Sequence, residues 1–290
     1  MNKKAILLML TSTVSFAIVN AIVKTLGHLP AFEKVLFRCI VSLSITFYLL
    51  GRYKLSPWGV NKKFLIIRGL SGSIALTLFF LVMDRIPLAS AVTLQYLSPI
   101  ATSLFGIILL KEKVANRQWL FFLISLIGVT MMKGFDSRVD ILSVIMGVIS
   151  AGLSGLAYAS IRKVKDTDHP LVVVLYFPLV ATPLLILFIG LFQFTSLSET
   201  INFKVWETPK GSDWLLLLLI GLFTQVAQVS MTKALQTENV AQVTSLKYLG
   251  SILALAVGYS FFDETYGLMA LSGIAVVLLG VFLNIKFKKT

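Results

Sequence analysis

Carboxylates are scarce in this chain. It has 290 residues, with 13 Asp and Glu against 26 Lys and Arg. None of the 13 falls in the middle of an apolar run, so a proton relay or sodium site built on a buried carboxylate is not expected. The single cysteine, Cys39, leaves no partner for an intrachain disulfide or a cysteine metal cluster. The two histidines, His28 and His169, fall between apolar runs, which rules against a zinc site or a histidine-based catalytic pair inside them. There is no G-x-x-x-x-G-K-[ST] loop, so ATP hydrolysis by this chain is not expected. The expectation is therefore no cofactor, no metal, no catalytic residue and no enzyme activity.

What the chain has in quantity is apolar sequence. Hydrophobic residues make up 57%, charged residues 13%, and the mean hydropathy is +0.89. A soluble domain carries about a quarter charged residues. Runs of about 20 apolar residues, long enough to cross roughly 30 Å of hydrocarbon, recur near 5–26, 32–50, 64–83, 88–110, 118–134, 141–161, 171–192, 213–235, 240–261 and 267–285. In lipid every backbone polar group must be satisfied within the protein, so these continuous runs predict helices. A β-barrel would need alternation, which is absent. The fold class expected is an all-α membrane protein with ten transmembrane helices. The first run, after Lys3 and Lys4, is longer than a signal-peptide core and has no small-x-small site before Gly27, so it reads as an uncleaved span.

Lys and Arg orient the spans. With the N-terminus in the cytoplasm, 17 of the 26 cations fall in cytoplasmic segments, seven fall outside, and Arg38 and Lys247 lie within spans. The positive-inside rule then places both termini in the cytoplasm of a multi-pass cell (inner) membrane protein. The formal charge of +13 fits an anionic inner leaflet. The cations are scattered over short loops, so no nucleic-acid partner is expected. The lipid bilayer and a small-molecule substrate are the expected partners, and a homodimer is compatible with the sequence.

Residues 69–130 and 221–282 align without a gap at an offset of 152, and ten of the 48 positions in Met83–Thr130 are identical. Tyr96-Leu97 matches Tyr248-Leu249, and Gly106 matches Gly258. Lys111, Lys113 and Arg117 surround Glu112, whereas its counterpart Glu264 has Asp263 beside it and no adjacent cation. Like segments with opposite flanking charge predict two inverted five-helix repeats, 1–136 and 140–290, a pattern typical of secondary transporters. The polar segment 193–212 reads as an external surface loop.

Proline and small residues refine this picture. Pro99 in span 4 and Pro178 and Pro183 in span 7 should kink or unwind those helices. Gly147, Ala151 and Gly155 recur every four residues and predict a close helix contact.

The polar residues within the spans carry the functional signal. Lys247 lies roughly 10 Å deep at 1.5 Å per residue. Thr244, Lys247, Tyr248 and Ser251 share one helical face, and the matching face of the first repeat holds Gln95, Tyr96 and Pro99. Two readings of Lys247 stand at this point: a ligand contact, or a lysine that snorkels to the interface. Arg38 could bind substrate or pair with Glu33. Asn20 and Lys24 share a face of span 1, and Ser150, Ser154 and Tyr158 share a face of span 6. Gln225 and Gln228 could face a cavity or bridge helices. Tyr176 is a weaker candidate, and Arg68 reads as an interfacial anchor. Buried cations without acids favour a substrate with at least one anionic group.

The run Pro87-Leu88-Ala89-Ser90-Ala91, then Leu97-Ser98-Pro99-Ile100 and Lys111-Glu112, resembles the drug/metabolite transporter superfamily, EamA type. Arg38, Arg68-Gly69 and Phe262-Asp263-Glu264 fit the same resemblance. It implies ten helices in two inverted repeats, a central cavity and alternating access. Ser251 stands where the second repeat often has the counterpart of Pro99, so a matching break in span 9 is not implied. The family moves amino acids, nucleotide precursors, sugars, organic acids and drugs. The function expected is secondary transport of a small anionic or zwitterionic metabolite. An exporter of amphipathic amino acids or drugs is the alternative, followed by a passive channel or a non-transporting scaffold.

Overall fold

The structure is a computed structural model that describes residues 3–111, 116–133, 140–194, 206–238, 243–244 and 246–263, with isolated positions between 265 and 283. The described residues form helices and no strand. In chain order they are α1 (Lys3–Thr25), α2 (Ala31–Arg52), α3 (Lys62–Arg85), α4 (Leu88–Gln95), α5 (Ser98–Leu110), α6 (Asn116–Lys133), α7 (Ile141–Lys163), α8 (Pro170–Phe194) and α9 (Asp213–Thr237). A 3-10 turn at Leu246–Leu249 and α10 (Gly250–Phe261) follow. Six of these helices (α1, α2, α3, α7, α8 and α9) are long and apolar enough to cross a membrane.

Burial has the sense expected of a lipid-facing bundle. Leu7, Ile66, Ile74, Leu187 and Leu218 point outward, while Ser12, Ser42, Thr46, Ser73, Ser98 and Thr224 are buried. Several buried hydroxyls bond to the carbonyl four residues back, as Thr46 does to Ser42 and Ser73 to Gly69, which satisfies them without a second helix.

Contacts at the two ends give the helix directions. At one end the last turns of α1 and α3 meet, through Lys24 and the carbonyls of Met83 and Ile86. Arg85 at the end of α3 bonds Asp140, which caps the start of α7. His28 after α1 bonds Asp213 at the start of α9. At the other end Asp168, after α7, accepts from the backbone of Val60 and Asn61 between α2 and α3. So α7 and α9 start where α1 and α3 finish. The most extensive helix contacts join α3 to α7, α1 to α9, α5 to α7 and α2 to α8. The two halves of the chain therefore interlock rather than stand side by side.

Span 4 is interrupted. Its first piece is α4, the chain turns at Tyr96-Leu97, and α5 starts with Pro99 in its first turn, where a missing N–H costs nothing. The break before α10 falls at the matching place although Ser251 replaces proline there: Gly250 is the counterpart of Ser98 at the offset of 152. The C-terminal ends match too. Lys111 after α5 and Asp263 after α10 are both left-handed, with φ of 55° and 51°. By contrast, α8 runs unbroken through Pro178 and Pro183, so the unwinding expected there does not occur.

The small-residue stripe on α7 does pack closely. A Cβ on Gly155 would lie 2.5 Å from the Cβ of Ala101 and 2.7 Å from the backbone of Thr102, and one on Gly147 would lie 2.7 Å from Leu94. This approach seats α7 against α4 and α5, and with them the polar face of the broken span.

Candidate functional site: a central cationic cavity

A cavity lies between α1, α2, α3, α4, α7, α8, α9, the 3-10 turn and α10. Asn20, Arg38, Gln95, Tyr96, Ser154, Tyr158, Gln228 and Lys247 all line it. The structure thus brings together eight of the ten residues expected at a site. Tyr248 belongs to the 3-10 turn, and its side chain lies outside the described residues. Gln225 is turned away from the cavity. It accepts from Ser42 at 2.7 Å and donates to Thr46 at 2.9 Å, tying α9 to α2. Tyr176 is buried beside the α2–α3 connection, where its hydroxyl accepts from Gly59 N–H at 3.4 Å. Glu112 and Glu264 lie outside the described residues.

Lys247 is carried by the 3-10 turn, not by a regular helix. Its ammonium lies 3.0 Å from the Tyr158 hydroxyl and 3.3 Å from the Ser98 hydroxyl, and 4.2 Å from the Tyr158 ring centroid. It therefore points into the protein and does not snorkel. Gln95, its counterpart in the other half, donates to Ser154 at 2.7 Å and accepts from Ser150 at 3.2 Å. Ser150 is also bonded to the Ala75 carbonyl at 2.6 Å, which fixes α4 to α7 and α7 to α3. A Cβ on Gly250 would come within 2.9 Å of the Tyr96 hydroxyl, so glycine lets the two chain breaks meet at the cavity wall.

Arg38 is 3% exposed and does not pair with Glu33. Glu33 accepts instead from the Glu207 N–H at 3.0 Å. The Arg38 guanidinium sits among Phe16, Phe80 and Phe177, 5.7, 5.7 and 6.0 Å from their ring centroids. Arg68 corrects the sequence reading. It is 2% exposed, lines the cavity, donates to Gln228 at 2.9 Å and stacks 5.2 Å from the Phe177 centroid. Lys62 and Lys63 occupy the start of α3, which leaves Arg68 more than a turn deeper. Two signals in the sequence could have found it: those cations already supply the interfacial anchor, and Gly72 makes room beside the guanidinium, where a Cβ would lie 2.3 Å from an Arg68 Nη.

The cavity thus holds three cationic side chains and aromatic walls, with no carboxylate among its lining residues. Among the described residues no cluster of His, Cys, Asp and Glu could hold a metal ion. Such a cavity can hold a ligand by charge and ring stacking.

Long apolar helices around a central cavity with buried cations fit a membrane transporter. The chain matches the EamA-like transporter family twice, over residues 3–133 and 141–286, and belongs to that family. It is 28% identical to the pseudopaline exporter CntI of Pseudomonas aeruginosa, over 99% of this chain and 98% of that protein. It is 27% identical to human solute carrier family 35 member G1, over 88% of this chain and 71% of that protein. It is 20% identical to the S-adenosylmethionine uptake transporter of Rickettsia prowazekii, over 93% and 88% of the two chains. A crystal structure 17% identical in sequence superposes with a TM-score of 0.78 over 99% of this chain and 97% of that chain, which shows a shared fold.

Proposed function

We propose that this protein is a secondary transporter that carries a small organic metabolite, anionic or zwitterionic, across the cell (inner) membrane by alternating access. Ten helices form two inverted repeats, 1–136 and 140–290, with both termini in the cytoplasm. The opposite directions of α1 and α7 and of α3 and α9 support the inversion, as do the matched breaks at Ser98 and Gly250. The protein has no catalytic role and moves its substrate unchanged.

The observation that carries the reading is the cavity itself. Arg38, Arg68 and Lys247 line it without a carboxylate. Burying cations in a membrane is costly, and such groups mark substrate paths. Lys247, Gln95, Tyr158, Ser154, Asn20 and Gln228 provide polar contacts, with Tyr96 and Tyr248 at the two breaks.

The test begins with a thermal-shift screen of metabolites on purified protein. Hits are then carried into proteoliposomes, where saturable uptake and counterflow are expected. Flux linear in concentration without counterflow would make the protein a channel, and no flux of any hit would make it a scaffold. Reporter fusions in 52–62 and after Lys289 should read cytoplasmic and one in 196–210 external; a cytoplasmic signal from 196–210 would sink the ten-span topology.

The aromatic walls favour a second reading, an exporter of amphipathic amino acids or drugs. Phe16, Phe79, Tyr96, Tyr158 and Phe177 all line the cavity. Transport that survives Lys247→Gln would support that reading over the first.

A further inference from the structure

Among the described residues no acid compensates the charges in the cavity, and these charges fall into two groups by the side chains they touch. Arg38 is nearly fully buried, lines the cavity and makes no hydrogen bond or ion pair with any described residue. Among the described residues it meets three aromatic faces, which attract a cation but leave its charge intact. Arg68 shares one of those faces, Phe177, and bonds a neutral amide, Gln228. The Nε of each arginine is buried without a partner. This first group belongs to α2, α3 and α8. Lys247 forms the second group, on the 3-10 turn against Tyr158 of α7 and Ser98 of α5, again with neutral partners.

Three acids elsewhere are committed to other groups, two of them, Glu33 and Asp168, buried. Asp84 pairs with Lys34, Glu33 takes the Glu207 N–H, and Asp168 takes the Val60 and Asn61 N–H groups. None of them lines the cavity. The wall around the two groups is apolar, with Leu76, Phe79, Val92 and Ala157.

We propose that the cavity selects a small metabolite with two separated carboxylates, and that Arg38 and Lys247 each take one of them. This rests on reading the cavity as the transport site and names its substrate class. A planar guanidinium with all its donors free takes a carboxylate through two parallel hydrogen bonds. Lys247 supplies a point charge at the other group, and the Tyr158 hydroxyl beside it can donate to the same carboxylate. Arg68 adds charge next to Arg38 while Gln228 holds it in place. A hydrocarbon spacer suits the apolar wall better than a polyhydroxy chain.

The test uses the full chain in lipid nanodiscs and isothermal titration calorimetry at pH 7.5 and fixed ionic strength. The probes are the unbranched dicarboxylates from succinate to adipate, their monoamides, their diamides and inorganic phosphate. At least one dicarboxylate should bind about 10-fold or more tighter than its monoamide, the factor that one lost charge-assisted hydrogen bond gives. The diamide should be weaker still. Arg38→Gln should bring that dicarboxylate down to the affinity of its monoamide. Arg38→Lys should keep part of the preference, which separates lost charge from a damaged fold. Equal affinity for a dicarboxylate and its monoamide overturns this inference and leaves the transport reading intact. Phosphate binding tighter than every dicarboxylate overturns it in favour of a phosphoryl substrate. Binding by none of these probes overturns it as well, while hits and counterflow in the metabolite screen decide the transport reading separately.

Discussion

Lys24 and Arg162 make the same bond in the two halves of the chain. Each is the last residue but one of its helix, α1 and α7. Lys24 donates to the carbonyls of Met83 and Ile86 at 2.9 and 2.8 Å, at the end of α3. Arg162 donates to the carbonyls of Leu235 and Gln236 at 3.5 and 2.6 Å, at the end of α9. Met83 and Leu235 are both third from the end of their helices. A cation at a helix C-terminus meets unpaired carbonyls and the negative end of the helix dipole, so each bond fastens one end of the bundle.

Weakening these two bonds should open opposite ends. Lys24→Met or Arg162→Met each removes a charged donor, at a cost of about 1.5–3 kcal/mol by thermal unfolding in detergent. With Ala17→Cys in a Cys39→Ser background, a membrane-impermeant maleimide should label Lys24→Met faster from outside and Arg162→Met faster from inside. The same change in both variants would mean that the bonds serve stability alone.

The Lys34–Asp84 pair joins α2 to α3 at the Lys24 end, with a separation of 2.5 Å and a fully buried lysine. Removing one partner strands the other charge. Asp84→Asn should destabilise the protein by about 3–5 kcal/mol. The double variant Lys34→Met, Asp84→Leu should recover most of that loss, because both charges go together. A double variant less stable than Asp84→Asn would show that the pair itself, and not the stranded charge, sets the stability.

Lys247 offers a graded test. Lys247→Met keeps the apolar stem and removes the charge. It should weaken substrate affinity about 10- to 150-fold, the range for one charge-assisted hydrogen bond. Tyr158→Phe keeps the ring under the ammonium and removes only the hydroxyl, so its effect should be smaller. Both are read as the half-saturation constant for a substrate found in the metabolite screen, with the melting temperature as control. If Lys247→Met stays within about two-fold of the parent, Lys247 is not a substrate contact.

Glycines on α7 should differ sharply in what they tolerate. Gly155→Val must push against the Ala101 and Thr102 backbone, 2.7 Å from even a Cβ, and should lose about 1–3 kcal/mol or fail to fold. Gly152→Ala meets nothing within 4 Å and should be neutral or slightly stabilising. Folded yield by size-exclusion chromatography and the melting temperature report both.

The sequence by itself determined the helices and most of the polar residues that line the cavity. An apolar run in lipid has to satisfy its own backbone, which makes it a helix wherever it lies. Pro99 marks one break, since a proline in the first turn of a helix forfeits no hydrogen bond, whereas Pro178 and Pro183 lie inside α8 and break nothing. Polar residues on a shared face, such as Ser150, Ser154 and Tyr158, were legible because helical periodicity is local. Tertiary structure alone decided which helix face met the cavity and which met another helix. Gln225 and Gln228 are three residues apart, yet one bridges to Ser42 and Thr46 while the other holds Arg68. Arg68 and Gln228 meet only because α3 and α9 come from interlocked halves. The break before Gly250 has no proline to announce it; it falls where glycine lets the Tyr96 hydroxyl approach. Periodicity gives spacing along one helix, whereas partners across helices depend on how all of them pack.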